Sequence, residues 1–135
     1  MVATEQVNYT VSRETNLSFE EAADKARALL QEAGYGILCG IDVQTKLKEK
    51  LGIEREPYLI LGACNPPLAN ESLKAEPDLG ALLPCNVVVY EKAARTWLQC
   101  EPERMLSIVG NEQLKPIAEQ VCENLSRVVE ELAKG

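Results

Sequence analysis

A long apolar stripe near the C-terminus is the feature that most constrains the fold. Apolar side chains recur there at intervals of three and four residues: Leu114, Ile117, Ala118, Val121, Leu125, Val128, Val129 and Leu132. This spacing predicts an amphipathic helix of about twenty residues, with Pro116 in its first turn. At about 1.5 Å per residue, such a helix would lie across a whole small domain.

Alternating and helical patterns divide the rest of the chain into short elements. Ser18 and Glu21 form a capping box in front of a helical stripe that stops at Gly34. Asn65 can cap another helix that has Pro66 at its first position. The predicted strands are 6–12, 35–43, 57–64, 85–91 and 95–100, and the predicted helices are 19–33, 43–52, 66–74 and 114–132, with one further helical turn at 103–107. In the helix 43–52 we expect Val43, Leu47 and Leu51 to be buried.

The last two strands are predicted to form a hairpin, although the usual Asn-Gly or Asp-Gly turn is missing. A loop centred on residues 93–94 would pair Glu91 with Thr96. The same register would place Cys100 opposite Val87.

The amino-acid composition and the net charge exclude several classes of protein. The chain has 135 residues, of which 46% are hydrophobic and 26% charged, which fits one folded domain over residues 1–135. Its net charge of −7 disfavours binding to nucleic acid or to anionic membranes. No apolar run approaches the roughly 20 residues that span a bilayer, and the N-terminus lacks the pattern of a signal peptide. We therefore expect a cytoplasmic protein with mostly reduced cysteines.

The chain contains no histidine, which removes several kinds of site. Catalysis by Ser-His-Asp or Cys-His groups and every histidine-ligated metal site are excluded. Acid–base chemistry would fall to Asp, Glu, Lys, Tyr or Cys. No Cys-x-x-Cys pair is present, so we expect no metal site. The sequence does not identify a cofactor, and it does not show whether any reaction is catalysed.

A Cys-Asn pair occurs at two structural boundaries. Cys64-Asn65 closes the third predicted strand, and Cys85-Asn86 opens the fourth directly after Pro84. If the strands are parallel, the two thiols lie at opposite ends of the sheet. If the strands are antiparallel, both pairs fall at the same end.

The motifs around these pairs resemble a known family. The segments "GYGILCGIDVQTKLKEKLGIEREPYLILGACNPPLA" and "LLPCNVVVYE" are similar to the small prokaryotic proteins catalogued as domain of unknown function 302. The resemblance runs from the first helix to "E-P-E-R-M" and implies an α+β fold like that of TATA-binding protein. That fold is a curved antiparallel sheet in the order β-α-β-β-β-β-α, packed on a long C-terminal helix, here with short inserted helices. The family implies the antiparallel arrangement and brings no activity with it.

In the antiparallel arrangement the two pairs form one candidate site. Our leading hypothesis is a small-ligand-binding domain whose site is the sheet edge formed by Cys64, Asn65, Cys85 and Asn86, with a small molecule as partner. A second hypothesis is a thiol-based redox or catalytic protein that uses Cys64 and Cys85. A third is a structural module in which the motif only shapes the turn. We also expect a homodimer, because antiparallel edge strands permit self-association.

Overall fold

A computed structural model describes residues 4–7, 10–100 and 109–135 of the protein. The strands are β1 (Thr4–Val7), β2 (Thr10–Thr15), β3 (Gly36–Asp42), β4 (Tyr58–Cys64), β5 (Cys85–Lys92) and β6 (Arg95–Cys100), and the helices are α1 (Phe19–Glu32), α2 (Val43–Leu51), α3 (Pro66–Ala75) and α4 (Lys115–Ala133). Short 3₁₀ helices lie at Pro77–Leu82 and Glu112–Leu114.

The described strands form one antiparallel sheet in the order β1-β2-β6-β5-β4-β3. Helices α1 and α4 pack on the same face of this sheet and share one apolar core with it. The predicted α+β class, with an antiparallel sheet packed on the C-terminal helix, is therefore confirmed. None of the helices in the described part of the chain has the length and apolar character required to cross a membrane.

The first strand differs from the prediction. Where a single strand over 6–12 was expected, β1 and β2 are separate strands that pair antiparallel, with Val7 opposite Thr10. The alternation of apolar residues continues from one strand into the other, so it does not mark where the chain reverses. Residues 8–9 and the helical turn predicted at 103–107 lie outside the described residues.

Helix α1 begins as its sequence predicts. The Ser18 side chain accepts a hydrogen bond from the Glu21 backbone N–H at 3.2 Å, and the Glu21 carboxylate accepts one from the Ser18 N–H at 3.2 Å. Hydrogen bonding with Ser18 lowers the pKa of Glu21. The backbone of Ser18 makes the larger contribution and its side chain the smaller one. Fully buried Ala22 and Ala26 let this helix approach the sheet closely.

The predicted register of the hairpin between β5 and β6 is confirmed. Glu91 pairs with Thr96, and Val87 pairs with Cys100. The turn uses two alanines at positive φ, 54° for Ala93 and 63° for Ala94, where glycine or asparagine is usual. The backbone N–H of Ala94 donates to Glu56 Oε2 at 3.1 Å, which helps to hold this turn.

Helix α4 lies along the sheet as its stripe predicts and buries Val121, Leu125, Val128, Val129 and Leu132. Polar contacts fix its position against β2. The Arg13 guanidinium pairs with Glu130 at 2.7 Å, and the Thr15 hydroxyl donates to the backbone oxygen of Leu132 at 3.1 Å. The long helix is therefore attached to the sheet by buried apolar contacts and by bonds near its C-terminal end.

Helix α2 is less buried than its sequence suggests. Val43 and Leu47 are only half-buried, and Leu51 is 65% exposed. The expected burial of all three side chains was wrong. This helix follows β3 at the edge of the described sheet and packs mainly on β4. A helix beside an edge strand meets less of the sheet than a helix beside a central strand, so less of its apolar stripe is covered.

Candidate functional site

A pocket of about 290 Å³ opens where β4 ends and α3 begins. Its walls come from both of these elements, from the segment in front of β5, from the residues around the start of β3 and from α4. The lining residues that matter for its chemistry are Tyr35, Leu38, Cys64, Asn65, Ser72, Leu73, Pro84 and Cys85. Apolar side chains predominate in this lining, and none of the lining residues is charged.

The Cys64-Asn65 pair forms one wall because the chain changes there from strand to helix. Asn65 is the N-cap of α3, and its Oδ1 accepts a hydrogen bond from the Leu68 N–H at 3.2 Å. Pro66 occupies the first position of the helix, where its missing N–H costs no bond. This cap was predicted from the sequence, and it turns α3 so that Ser72 and Leu73 also reach the pocket.

A bulge in β3 brings Leu38 to the pocket. Ile37 lies opposite Ala63 and Cys39 lies opposite Gly62, so Leu38 is an extra residue in this strand. Such bulges redirect a side chain out of the regular alternation. Leu38 is 66% exposed and Leu73 is 40% exposed, and both line the pocket. We therefore assign these two leucines to the pocket mouth.

Gly62 lets two neighbours approach the sheet closely. A Cβ at this position would lie 2.7 Å from Cys39 Sγ and 2.9 Å from Pro84 Cγ, closer than such atoms ever approach. Pro84, which follows a cis peptide bond with Leu83, lines the pocket directly before Cys85. The absence of a side chain at Gly62 therefore helps to place one wall of the pocket.

Tyr35 is one of several pocket residues that the sequence patterns did not indicate. Only 1% of it is exposed, although it lines the pocket, so it belongs to the innermost wall. Its hydroxyl accepts a hydrogen bond from Asn124 Nδ2 at 3.2 Å. The only signal in the sequence was an aromatic residue with a polar tip directly after the predicted helix stop at Gly34.

The phenol of Tyr35 is neutral at physiological pH. Burial raises its pKa above the ordinary value, because the buried phenolate is disfavoured. The hydrogen bond from Asn124 acts in the opposite direction, and negative charge on the Cys85 or Cys64 sulfur would raise the pKa further. Tyr35 therefore keeps its proton and can donate a hydrogen bond.

Strand pairing brings three of the four predicted site residues together. Cys85 pairs with Ala63, next to Cys64, so both cysteines lie at the same end of the sheet and line the pocket with Asn65. Cys64 is a half-buried free thiol, and Cys85 is 8% exposed. Asn86 lies opposite Gly62, is exposed and is not among the lining residues.

Cys64 and Cys85 are the side chains of metal-binding type in this lining. Within residues 4–7, 10–100 and 109–135, no three side chains of metal-binding type come together. Cys64 and Cys85 are two soft ligands, whereas a structural zinc site uses four. The hypothesis of a redox pair formed by these two cysteines stays a prediction.

Comparison with known proteins gives the family. The pattern of the family described as "Domain of unknown function DUF302" matches residues 10–132. The chain belongs to this family. It is also similar to the crystal structure of an uncharacterized conserved DUF302 protein from Bacillus stearothermophilus, with 26% identity and a TM-score of 0.87. That match covers 93% of this chain and 99% of the other. No curated protein matches the chain. Because the family description states no activity, the function of this DUF302 protein has to be argued from its pocket.

Proposed function

We propose that this DUF302 protein binds a small, mainly apolar molecule in the pocket beside Cys64, Asn65 and Cys85. The observation that carries the proposal is a concave site whose lining is mostly apolar, contains no charged residue and includes the polar residues Tyr35, Asn65 and Ser72. Ligand sites in proteins have this character and usually measure about 300–1,000 Å³. At about 290 Å³ the pocket lies just below that range, which points to a ligand of few atoms.

The two leucines at the pocket mouth support this proposal. Leu38 and Leu73 are large apolar side chains with 66% and 40% of their surface exposed. A ligand that seats in the pocket and contacts both would remove apolar surface from water, which is favourable by roughly 25 cal/mol per Å². The bulge that displaces Leu38 from the regular strand pattern is then part of the site.

Ala69 provides a direct test, because it lines the pocket from α3 while its neighbour Asn70 is exposed and does not. The substitution Ala69→Leu should fill part of the pocket, and Asn70→Leu adds the same side chain outside it. Binding of small neutral compounds, such as cyclohexanone and benzyl alcohol, would be followed by two-dimensional NMR of the backbone amides.

We expect saturable shifts at pocket residues of the wild type, affinity at least about tenfold lower in Ala69→Leu and unchanged affinity in Asn70→Leu. Thermal unfolding of both variants would establish that each remains folded. Wild-type spectra that no compound changes in a saturable way would reject the proposal, as would equal binding by the two variants.

A homodimer formed through β3 is the second candidate, and it could coexist with ligand binding. This strand is the last in the described sheet, and it carries no charged residue before Asp42 at its end. Edge strands that avoid association are commonly protected by charges. Leu38 and Ile41 of β3 are also exposed, by 66% and 44%. A second copy of the strand, paired antiparallel, would complete the backbone hydrogen bonds of both.

The substitution Ile41→Lys tests this association without changing a residue that lines the pocket. Light scattering of the eluted protein should give a dimeric mass for the wild type and a monomeric mass for the variant. Exposed Ile53→Lys, a substitution of the same kind outside the strand, should leave the mass unchanged. A monomeric wild type at concentrations of about 100 μM would reject the dimer.

A further inference from the structure

We infer that two copies of the chain pair through β3 in one register, in which Ile41 lies opposite the partner's Ile41 and Gly40 lies opposite the partner's Asp42. Arg27 of each copy then forms an ion pair with that Asp42. This inference rests on the homodimer proposed above and specifies its interface. It follows from the bulge in β3, from the position of Arg27 and from the charge at the end of the strand.

The edge of β3 is open to a second strand from the bulge to its end. Residues 38–42 are all exposed, and β3 pairs with β4 on one side. The backbone groups that point away from β4 have no strand partner in the part of the sheet that the structure describes. A second copy related by a two-fold axis would provide the matching groups in the antiparallel direction.

The bulge limits the register of such a pairing. Pairing with β4 is regular from Cys39 to Asp42 and is interrupted between Ile37 and Cys39. When two identical antiparallel strands pair about a two-fold axis, one residue lies opposite its own copy. With Cys39 or Gly40 at the axis, the extra residue of the bulge, Leu38, would have to pair as well. With Ile41 at the axis, the pairs lie in regular strand and stop where β3 ends.

Arg27 of α1 lies beside Gly40, on the face of the sheet that the helices cover. A Cβ at Gly40 would lie 3.6 Å from Arg27 Nη2 and 3.7 Å from Cδ2 of Leu61, a fully buried core residue. Arg27 is exposed, and none of the ion pairs or hydrogen bonds among the described residues involves its guanidinium. Its five N–H donors are therefore available to an acceptor from a second copy.

Asp42 supplies the complementary charge. It follows Gly40 by two residues and so lies on the same face, as does its partner in β4, the buried Leu59. Its Oδ1 accepts a hydrogen bond from the Thr45 N–H at 3.0 Å, which leaves Oδ2 for a second bond. Residues directly opposite in an antiparallel pair have Cβ atoms about 4.5–5.5 Å apart. The partner's Asp42 would therefore reach the guanidinium beside Gly40, and the two-fold axis produces this ion pair twice.

The rest of the two copies is compatible with this register. Ile41 is 44% exposed and would contact the partner's Ile41 on the opposite face, which removes apolar surface from water. Helix α1 packs on β3 and β5 and so lies above β4, between them. The two β4 strands would be three strand spacings apart, or ~14 Å. Packed helices lie about 8–10 Å apart, so the two α1 helices would leave room for the Arg27 side chains.

An engineered cysteine measures the register. Ile41→Cys in a Cys39→Ser background places a thiol at the axis, where Cα atoms about 4.5–5.5 Å apart suit a disulfide. The protein would be treated with the oxidant diamide at a concentration where light scattering shows a dimer. We expect a disulfide-linked dimer joined through position 41, identified by mass spectrometry. The wild type is the matched control, because this register places the two Cys39 Cα atoms roughly 14 Å apart, too far for a disulfide.

Dissociation constants from analytical ultracentrifugation test the ion pair. Arg27→Gln and Asp42→Asn each remove one charge, and asparagine can still cap α2. We expect each substitution to raise the Kd of the dimer about threefold to tenfold, as the loss of two exposed ion pairs would give. The double variant should dissociate no more readily than either single variant. Lys25→Gln, the same change of charge on α1, should leave the Kd unchanged.

A wild-type dimer linked through Cys39 would overturn the register, as would an Ile41→Cys variant that forms a dimer without the disulfide. Effects of Arg27→Gln and Asp42→Asn that add fully in the double variant would overturn the ion pair. In these cases the proposed dimer itself stands. A monomeric wild type removes the dimer and the inference together, and none of these results bears on ligand binding in the pocket.

Discussion

The substitution Gly62→Ala is expected to destabilise the protein and to disturb the pocket wall through a single methyl group. Gly62 is buried in β4, where the new Cβ would lie 2.7 Å from Cys39 Sγ and 2.9 Å from Pro84 Cγ. Packed carbon atoms lie at roughly 3.5–4.0 Å from each other. Each neighbour would therefore have to move by roughly 1 Å. The Cys39 side chain can rotate, whereas Pro84 Cγ can shift only as far as a change of ring pucker or a movement of the backbone allows.

The size of the effect follows from two opposing contributions. Overpacking of a well-packed interior costs about 1–3 kcal/mol. Replacing glycine by alanine in a strand returns about 0.5–1 kcal/mol, since the unfolded chain loses conformational freedom. The free energy of unfolding should therefore fall by about 1–2 kcal/mol. For a domain of this size, that corresponds to a decrease in Tm of about 4–8 °C.

Urea unfolding followed by the fluorescence of Trp97, the single tryptophan, measures this change directly. The control is Gly80→Ala, because a Cβ at Gly80 meets no atom within 4 Å and the residue does not have positive φ. Its free energy of unfolding should stay within about 0.5 kcal/mol of the wild type. Equal stabilities of the two variants would refute the argument that Gly62 is required by the approach of Pro84. The ligand affinity of a folded Gly62→Ala variant should also fall, because Pro84 lines the pocket.

Two further predictions concern the hairpin and the buried phenol. Ala94→Gly should raise the free energy of unfolding by about 0.5–1 kcal/mol, since the left-handed backbone costs an alanine about 1–2 kcal/mol and glycine much less. The same change at exposed Ala28 in α1 should lower it by about 1 kcal/mol, and urea titrations that give both variants the same sign would contradict this. The raised pKa of Tyr35 predicts a loss of stability at alkaline pH. The unfolded chain releases this proton first, so the free energy of unfolding falls as the pH rises from about 10 towards the pKa of the folded protein. Stability measured from pH 8 upwards should decline less steeply in Tyr35→Phe, and equal slopes would count against the buried neutral phenol.

Local sequence patterns were sufficient for most of the elements. The capping box of Ser18 and Glu21 and the cap at Asn65 were predicted because each depends on residues three apart or fewer. The hairpin register was predicted because loop length alone relates Val87 to Cys100. Between β1 and β2 the same approach failed, since an alternating pattern looks alike on both sides of a reversal.

The relative direction of strands β4 and β5 could not be predicted from residue patterns. Residue patterns left the parallel and antiparallel arrangements open, and the antiparallel one was chosen through the family resemblance. The pairing of Cys85 with Ala63 now places Cys64 and Cys85 at the same end of the sheet. The burial of α2 was overestimated for a related reason, because its apolar stripe does not reveal that the helix follows an edge strand.

By itself, the sequence determined most of the local elements, the helix caps and the hairpin register. The absence of histidine also excluded every histidine-based site. Which further side chains share the pocket with Cys64, Asn65 and Cys85 was decided only by the tertiary structure. Tyr35 and Cys85 are fifty positions apart, and they meet because strands β3, β4 and β5 pair side by side. Leu38 reaches the mouth because one extra residue in β3 has no counterpart in β4, and this mismatch exists only once the two strands are paired.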